Sequence, residues 1–209
     1  MADDPDADTR RELLELVARV EAGDAAAQAD LADRFAAPLE FGTAGLRGRV
    51  EAGLGRMNRV VVLRASWGLG RFLLDRPALE ARQRGVVIGF DGRYSSRQFA
   101  EDTAAVLAGL GIPAHLFADP VSTPLCAFTV THLAASAGVM VTASHNPPLD
   151  NGYKVYADNG AQIIPPADHD IAACIGRAPR VAAMARPSPH DAAGAGLRRS
   201  IDDSVERAY

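Results

Sequence analysis

Apolar residues recur at helical spacing over residues 9–36, and Gly23-Asp24 interrupts the pattern with a break and a capping side chain. Two short helices are predicted there, ended by Pro38. Residues 59–74 repeat the helical pattern. Residues 85–90, Gly-Val-Val-Ile-Gly-Phe, form instead a continuous apolar run of the kind that makes a strand buried on both faces. Asp91-Gly92-Arg93 then predicts a turn, Ser95-Ser96 a cap, and residues 98–110 a helix stopped by Gly111. The alternation continues with a short strand at 114–117, a helix at 123–134 and a second buried strand at 137–141. Residues 154–156 and 161–164 read as a hairpin across Asp158-Asn159-Gly160, and Pro165-Pro166 precedes a helix to about residue 175.

Strand and helix thus alternate at βαβ spacing. The expected fold is α/β, a three-layer α/β/α domain with a mixed, mostly parallel sheet, preceded by an N-terminal helical segment. The organisation expected is an extension over 1–37, the domain over 38–185, and a linker with the start of a truncated second domain over 186–209. Residues 178–199, rich in Ala, Pro, Gly and Arg, read as linker, and 200–209 as a capped helix that begins and does not finish. No internal repeat occurs.

Composition narrows the function classes. The 209 residues are 48% hydrophobic, enough for a full core, and 22 basic against 26 acidic residues are spread without a basic stripe. Nucleic acid is therefore not an expected partner. The acidic start lacks a signal-peptide pattern and no apolar stretch reaches membrane-spanning length, so no membrane partner and a cytoplasmic location are expected. Cys126 and Cys174, each among small or apolar neighbours, read as buried thiols. The sharpest compositional fact is that Lys154 is the single lysine among the 22 basic residues. Either it survives by chance, or the position needs an ammonium that can release a proton, which arginine cannot do.

The strand at 137–141 runs into Thr142-Ala143-Ser144-His145-Asn146-Pro147-Pro148, placing a serine on a tight turn where open α/β sheets hold ligands. Alone, this stretch reads as an ordinary capping Ser-His-Asn turn. It is accompanied by Asn151-Gly152-Tyr153-Lys154-Val155-Tyr156, by Phe41-Gly42-Thr43-Ala44-Gly45-Leu46-Arg47-Gly48 and by Phe90-Asp91-Gly92-Arg93. Together these four ordered motifs resemble the α-D-phosphohexomutase superfamily, in detail its phosphoglucomutase-like phospho-sugar mutases. The resemblance covers about residues 38–175.

It implies an enzyme that moves a phosphoryl group between the 1- and 6-positions of a hexose phosphate through a phosphoserine and a bisphosphate intermediate. Ser144 matches the phosphoserine, whose phosphate in the family also coordinates Mg²⁺. Lys154 matches the general acid/base on the sugar hydroxyl, and Arg47 the arginine that approaches the phosphoserine. His145 is implied close to substrate, with a purely structural role equally open. Asp91 and Arg93 could brace the loop or form a simple turn salt bridge, and Asn146 fixes the turn. Glucose 1,6-bisphosphate or a similar sugar bisphosphate is implied as the phosphorylating activator, with a hexose or pentose phosphate as substrate.

The family's metal-binding Asp-Gly-Asp-type loop is not among these residues, so the chain is expected to need the missing domains and to be inactive alone. A phosphopentomutase and a non-catalytic phosphate-binding domain are the alternatives. A serine hydrolase would need a Gly-x-Ser-x-Gly elbow or a triad, and a nucleotide-binding loop a third glycine or a Walker lysine; neither is present.

Overall fold

A computed structural model of the chain describes residues 3–43 and 45–209. Ala44, within the Phe41 to Gly48 motif, and Met1-Ala2, within the acidic start, lie outside the described residues. In chain order the elements are α1 (Ala7–Glu21), α2 (Ala25–Ala36), β1 (Leu46–Arg49), α3 (Arg59–Leu74), α4 (Ala81–Arg84), β2 (Val86–Phe90), α5 (Ser96–Gly109), β3 (Ala114–Phe117), α6 (Thr123–His132), β4 (Ala137–Val141), β5 (Asp150–Ala157), α7 (Ala167–Gly176), α8 (Pro189–Gly194), β6 (Arg198–Ile201) and α9 (Asp203–Ala208). Single 3-10 turns occur at Pro77–Leu79 and Val181–Ala183.

The helix starts follow from short polar side chains that accept otherwise orphaned backbone N–H groups. Asp24 accepts from Ala26 and Ala27 and so separates α2 from α1 at the Gly23-Asp24 break. Asn58 accepts from Val61 at the head of α3, and Ser122 from Leu125 at the head of α6. Ser95 makes no such cap for α5, contrary to the sequence expectation; the neighbouring Ser96 hydroxyl is drawn instead to Asp91.

The strands form one sheet in the order β1-β5-β4-β2-β3-β6. β4, β2, β3 and β6 run parallel, and β5 and β1 are antiparallel additions at one side. The sheet is therefore mixed and mostly parallel, with helices on both faces. Period-two alternation divides its side chains between them. Val86, Ile88, Phe90, Val139, Val141, Tyr153 and Val155 join the larger core beneath α3, α5 and α7. Val87, Met140 and Tyr156 join the smaller core beneath α6 and α9. Both cysteines are free and buried. No helix among the described residues is long and apolar enough to cross a membrane.

Three local expectations change. The stretch read as loop beside a strand contains a strand, since β1 pairs with β5 from Leu46↔Tyr153 to Arg49↔Asp150. The expected hairpin is a single bridge, Tyr156↔Gln162, because Pro165-Pro166 follows at once and proline cannot donate to a ladder. Residues 178–199, expected as linker, hold a 3-10 turn, α8 and the first half of β6, which satisfies the open edge of β3 from Ala114↔Arg198 to Phe117↔Ile201. Arg-Arg-Ser-Ile carries no apolar run, and an edge strand needs none.

Behind the sheet, a buried hydroxyl cluster fixes the position of β5. The Tyr153 hydroxyl lies 3.1 Å from Ser66 Oγ on α3, and Ser66 Oγ lies 2.8 Å from Val62 O and 3.1 Å from Thr103 Oγ1. Burial pushes the Tyr153 phenol up to about 12. An unfolded tyrosine ionises near pH ~10, so the unfolded state releases its proton first and stability falls as pH rises from there toward about 12. Tyr153→Phe is expected to cost about 1 kcal/mol at neutral pH and to remove that share of the alkaline loss, as read from urea unfolding at several pH values.

Candidate active site

The chain leaves β2 through α5 to reach β3 on one side, then returns through α6 to β4 on the other side of β2. The switch in direction opens a crevice between the carboxyl ends of β2 and β4, the position at which open α/β sheets bind ligands. Asp91 follows β2 and Thr142 follows β4 at that crevice, with the Asp91 N–H donating to Val141 O at 3.1 Å.

Asp91 organises what lies above. Its Oδ1 accepts from the Ser96 hydroxyl at 2.7 Å and from the Arg93 N–H at 3.0 Å. Its Oδ2 accepts from the Thr142 hydroxyl at 2.6 Å and lies 3.3 Å from Arg93 Nε. Thr142 Oγ1 in turn accepts the Ser144 N–H at 3.0 Å. Arg93 spends its two terminal nitrogens on four carbonyls: Nη2 on Ser144 O (2.9 Å) and Asn146 O (2.8 Å), Nη1 on Pro147 O (2.7 Å) and Asp150 O (3.2 Å). Both backbone polar groups of Ser144 are thus held through Asp91, one by Thr142 and one by Arg93. Ser144 needs that hold, because its φ of 54° lies in the left-handed region that costs a non-glycine residue on the order of 1 kcal/mol.

Held this way, the exposed Ser144 hydroxyl meets Lys154. The ammonium Nζ donates to Ser144 Oγ at 2.9 Å across the β4–β5 pair. Arg47 stands on β1 opposite Gly152 and donates to Asn146 Oδ1 at 3.3 Å, while Asn146 Nδ2 donates to Asp150 Oδ2 at 2.9 Å. Two glycines allow this closeness. A Cβ at Gly45, whose φ is +73°, would fall 1.9 Å from Tyr153 O, and one at Gly152 would fall 2.6 Å from Thr142 O and 3.0 Å from Leu46 O.

The structure therefore brings Ser144, Lys154, Arg47, Asn146, Asp91 and Arg93 to one place. His145 is exposed beside Ser144 and its side chain makes no hydrogen bond among the described residues. Asp91 and Arg93 form an ion pair, and that pair braces the loop. Sequence reasoning gave no role to Thr142 or the fully buried Asn151, and read Ser96 only as part of a helix cap. Asn151 Nδ2 donates to Ser96 Oγ at 2.9 Å and to Tyr94 O at 3.1 Å, and its Oδ1 accepts from Gly152. The signal for Thr142 was a hydroxyl two residues before the serine at a strand end, a position suited to a local side-chain to backbone bond. Ser96 and Asn151, far apart in sequence, gave none.

A bound Mg²⁺ finds little here. Among the described residues no group of three or more His, Cys, Asp or Glu side chains could hold a metal, and both Asp91 oxygens are already engaged. The remaining chemistry is that of an accessible hydroxyl beside an ammonium and a guanidinium, an arrangement suited to accepting and stabilising a phosphoryl group.

Residues 38–180 match the family domain described as phosphoglucomutase/phosphomannomutase, alpha/beta/alpha domain I. The chain is 48% identical to the phosphopentomutases of Mus musculus and Homo sapiens over 147 residues, 68% of this chain and 24% of each relative. It is 47% identical to the phosphoribomutase of Saccharomyces cerevisiae over 146 residues, 68% of this chain and 23% of that protein. It is 44% identical to the glucose 1,6-bisphosphate synthase of Mus musculus, over 70% of this chain and 24% of that protein. A crystal structure from Thermus thermophilus, described as a phosphomannomutase, superposes with a TM-score of 0.65 at 32% identity, over 80% of this chain and 34% of that one. The chain spans about a quarter of the length of these curated relatives.

Gly152→Ala is expected to force β1 and the 142–144 turn apart and to lower stability by roughly 2 kcal/mol or more, whereas Gly42→Ala, where a Cβ meets nothing within 4 Å among the described residues, is expected to change it little. Parallel thermal denaturation of the two variants checks this.

Proposed function

This chain belongs to the phosphoglucomutase/phosphomannomutase family through its α/β/α domain I, and from that premise we propose that it serves a phospho-sugar mutase in which Ser144 accepts and returns the phosphoryl group. The observation that supports this most is the 2.9 Å contact between Lys154 Nζ and the hydroxyl of a serine held in a left-handed turn at the switch point of the sheet.

In the forward half-reaction Ser144 Oγ forms a bond to phosphorus as the phosphorus–oxygen bond to the sugar breaks. The hydroxyl proton leaves and the departing sugar oxygen gains one. Lys154, in its amine form, takes the first and, as ammonium, supplies the second. Proton transfer by a positioned side chain is worth roughly 10²–10⁴-fold. Arg47, released from Asn146, offers planar donors to the phosphoryl oxygens as charge spreads over them. Return of the phosphoryl to the other sugar hydroxyl reverses each step. His145, exposed beside the nucleophile, is proposed to contact the substrate. Mg²⁺ is proposed to bind through the Ser144 phosphate with ligands other than the described residues, and no step above depends on it.

The proposed substrate is a hexose phosphate, primed by glucose 1,6-bisphosphate. A pentose phosphate is the second reading, favoured by the phosphopentomutases and phosphoribomutase among the relatives. Because the chain spans about a quarter of the length of its curated relatives, the 209 residues are expected to show negligible net isomerisation by themselves. That expectation fails if the purified chain readily interconverts a hexose or pentose phosphate.

Incubation with glucose 1,6-bisphosphate or a pentose bisphosphate in a form of the protein that turns over is expected to place one phosphoryl group on Ser144, located by peptide mass spectrometry. Ser144→Ala should abolish incorporation, and Lys154→Ala should slow it by about two orders of magnitude or more. Phosphate elsewhere, or active protein that never carries any, contradicts the role of Ser144, whereas a protein that binds phosphate with neither incorporation nor turnover would be the non-catalytic phosphate-binding domain.

A further inference from the structure

Residues 1–37 lie outside the matched domain, yet α1 and α2 within them grip the segment that follows the strand carrying Arg47. Arg34, 7% exposed, is the centre of that grip. Its guanidinium is bidentate to Asp30 at 2.9 Å on its own helix, binds Glu12 of α1, donates to Ala52 O at 3.4 Å and lies 3.5 Å from Glu51. The second oxygen of Glu12 accepts the Ala52 N–H at 3.0 Å. Glu51 passes the tie onward, to Arg49 at the end of β1 (2.6 Å) and to Arg56 (3.1 Å), which also reaches back to Asp33 of α2. The backbone follows: Gly55 donates to Arg34 O at 2.9 Å, and a Cβ on Gly53 would lie 2.8 Å from that same oxygen.

The clamped segment is joined directly to the candidate site. Met57 donates to Arg49 O at 2.9 Å, and Val50 to Leu149 O at 2.8 Å. Arg49 pairs with Asp150, which holds Asn146, which holds Arg47. We propose that Arg34 is a positioning residue: by fastening residues 50–57 to α1 and α2 it keeps β1 in register, and with it Arg47 beside the Ser144 turn. The N-terminal helix pair is then a working part of the site rather than an appendage. Naming this place a phosphoryl-transfer site rests on the mutase reading above; the mechanical tie does not. Removing one member of a network centred on a buried guanidinium leaves its partners one counter-charge short, as the partly buried Glu51 would be without Arg34, so the effect should begin locally at the segment they hold.

Hydrogen–deuterium exchange on the 209-residue chain separates local from global loosening. Arg34→Leu cuts the tie from the helix side and Glu51→Gln from the strand side, so that one decides if the other fails to fold. Each is expected to speed exchange at residues 46–50 and 145–151 by roughly tenfold or more, with β2 and α5 unchanged. Arg34→Lys should restore part of the protection, and Asp8→Asn, in the exposed Asp8–Arg11 pair, should change nothing. In a form of the protein that is phosphorylated, the two disruptive variants should lower the maximal rate at Ser144 with little change in the half-saturating donor concentration. Faster exchange confined to α1 and α2, or spread evenly over the chain, overturns the proposal. Absence of phosphorylation in the unaltered protein would count against the mutase reading, and the exchange pattern would still decide the tie.

Discussion

The carboxylate of Asp91 is the constraint on which the carboxyl end of the sheet depends. Three hydrogen-bond donors and the Arg93 guanidinium converge on its two oxygens, and through Thr142 and Arg93 it controls both the N–H and the carbonyl of Ser144. A left-handed serine persists only where its surroundings over-determine it. Here they do, since Arg93 gathers four carbonyls of the 144–150 loop around itself while its own charge is answered by Asp91. The result is a hydroxyl presented outward from a rigid turn and met by the one lysine of the chain.

The antiparallel additions to the parallel sheet supply the rest. β5 carries Lys154 on the face opposite Tyr153, so that the buried phenol anchored on Ser66 fixes the strand while the ammonium stays free to reach Ser144. β1 lies against β5 closely enough that Gly45 and Gly152 have no room for a side chain, and Arg47 is brought to the loop by that contact. Packing on one face of the sheet and chemistry at its edge are therefore set by the same residues.

Much of this was legible in the residues. Buried parallel strands announce themselves as unbroken apolar runs, as at Val86–Phe90 and Ala137–Val141, and the serine turn follows from where the second run ends. Lys154 stood out because arginine fills every other basic position. What stayed hidden depends on partners distant in sequence. Nothing local marks Arg198–Ile201 as a strand, because its pairing satisfies the open edge of β3 and not an apolar face. Ser96 looked like a helix cap and serves Asp91 instead, and Asn151 has meaning only beside Ser96 and Tyr94. Asp91 and Arg93 were visible as a turn pair, whereas the four carbonyls that make the pair a brace belong to another loop.

The most direct measurement is a crystal structure of the protein phosphorylated on Ser144. The phosphoryl oxygens should lie within hydrogen-bond distance of both Lys154 Nζ and the Arg47 guanidinium, with Ser144 still at positive φ and Arg93 still on its four carbonyls. A phosphoserine relaxed to negative φ, or one turned to solvent away from Lys154 and Arg47, would contradict a site built by Asp91 around a rigid phosphoryl carrier.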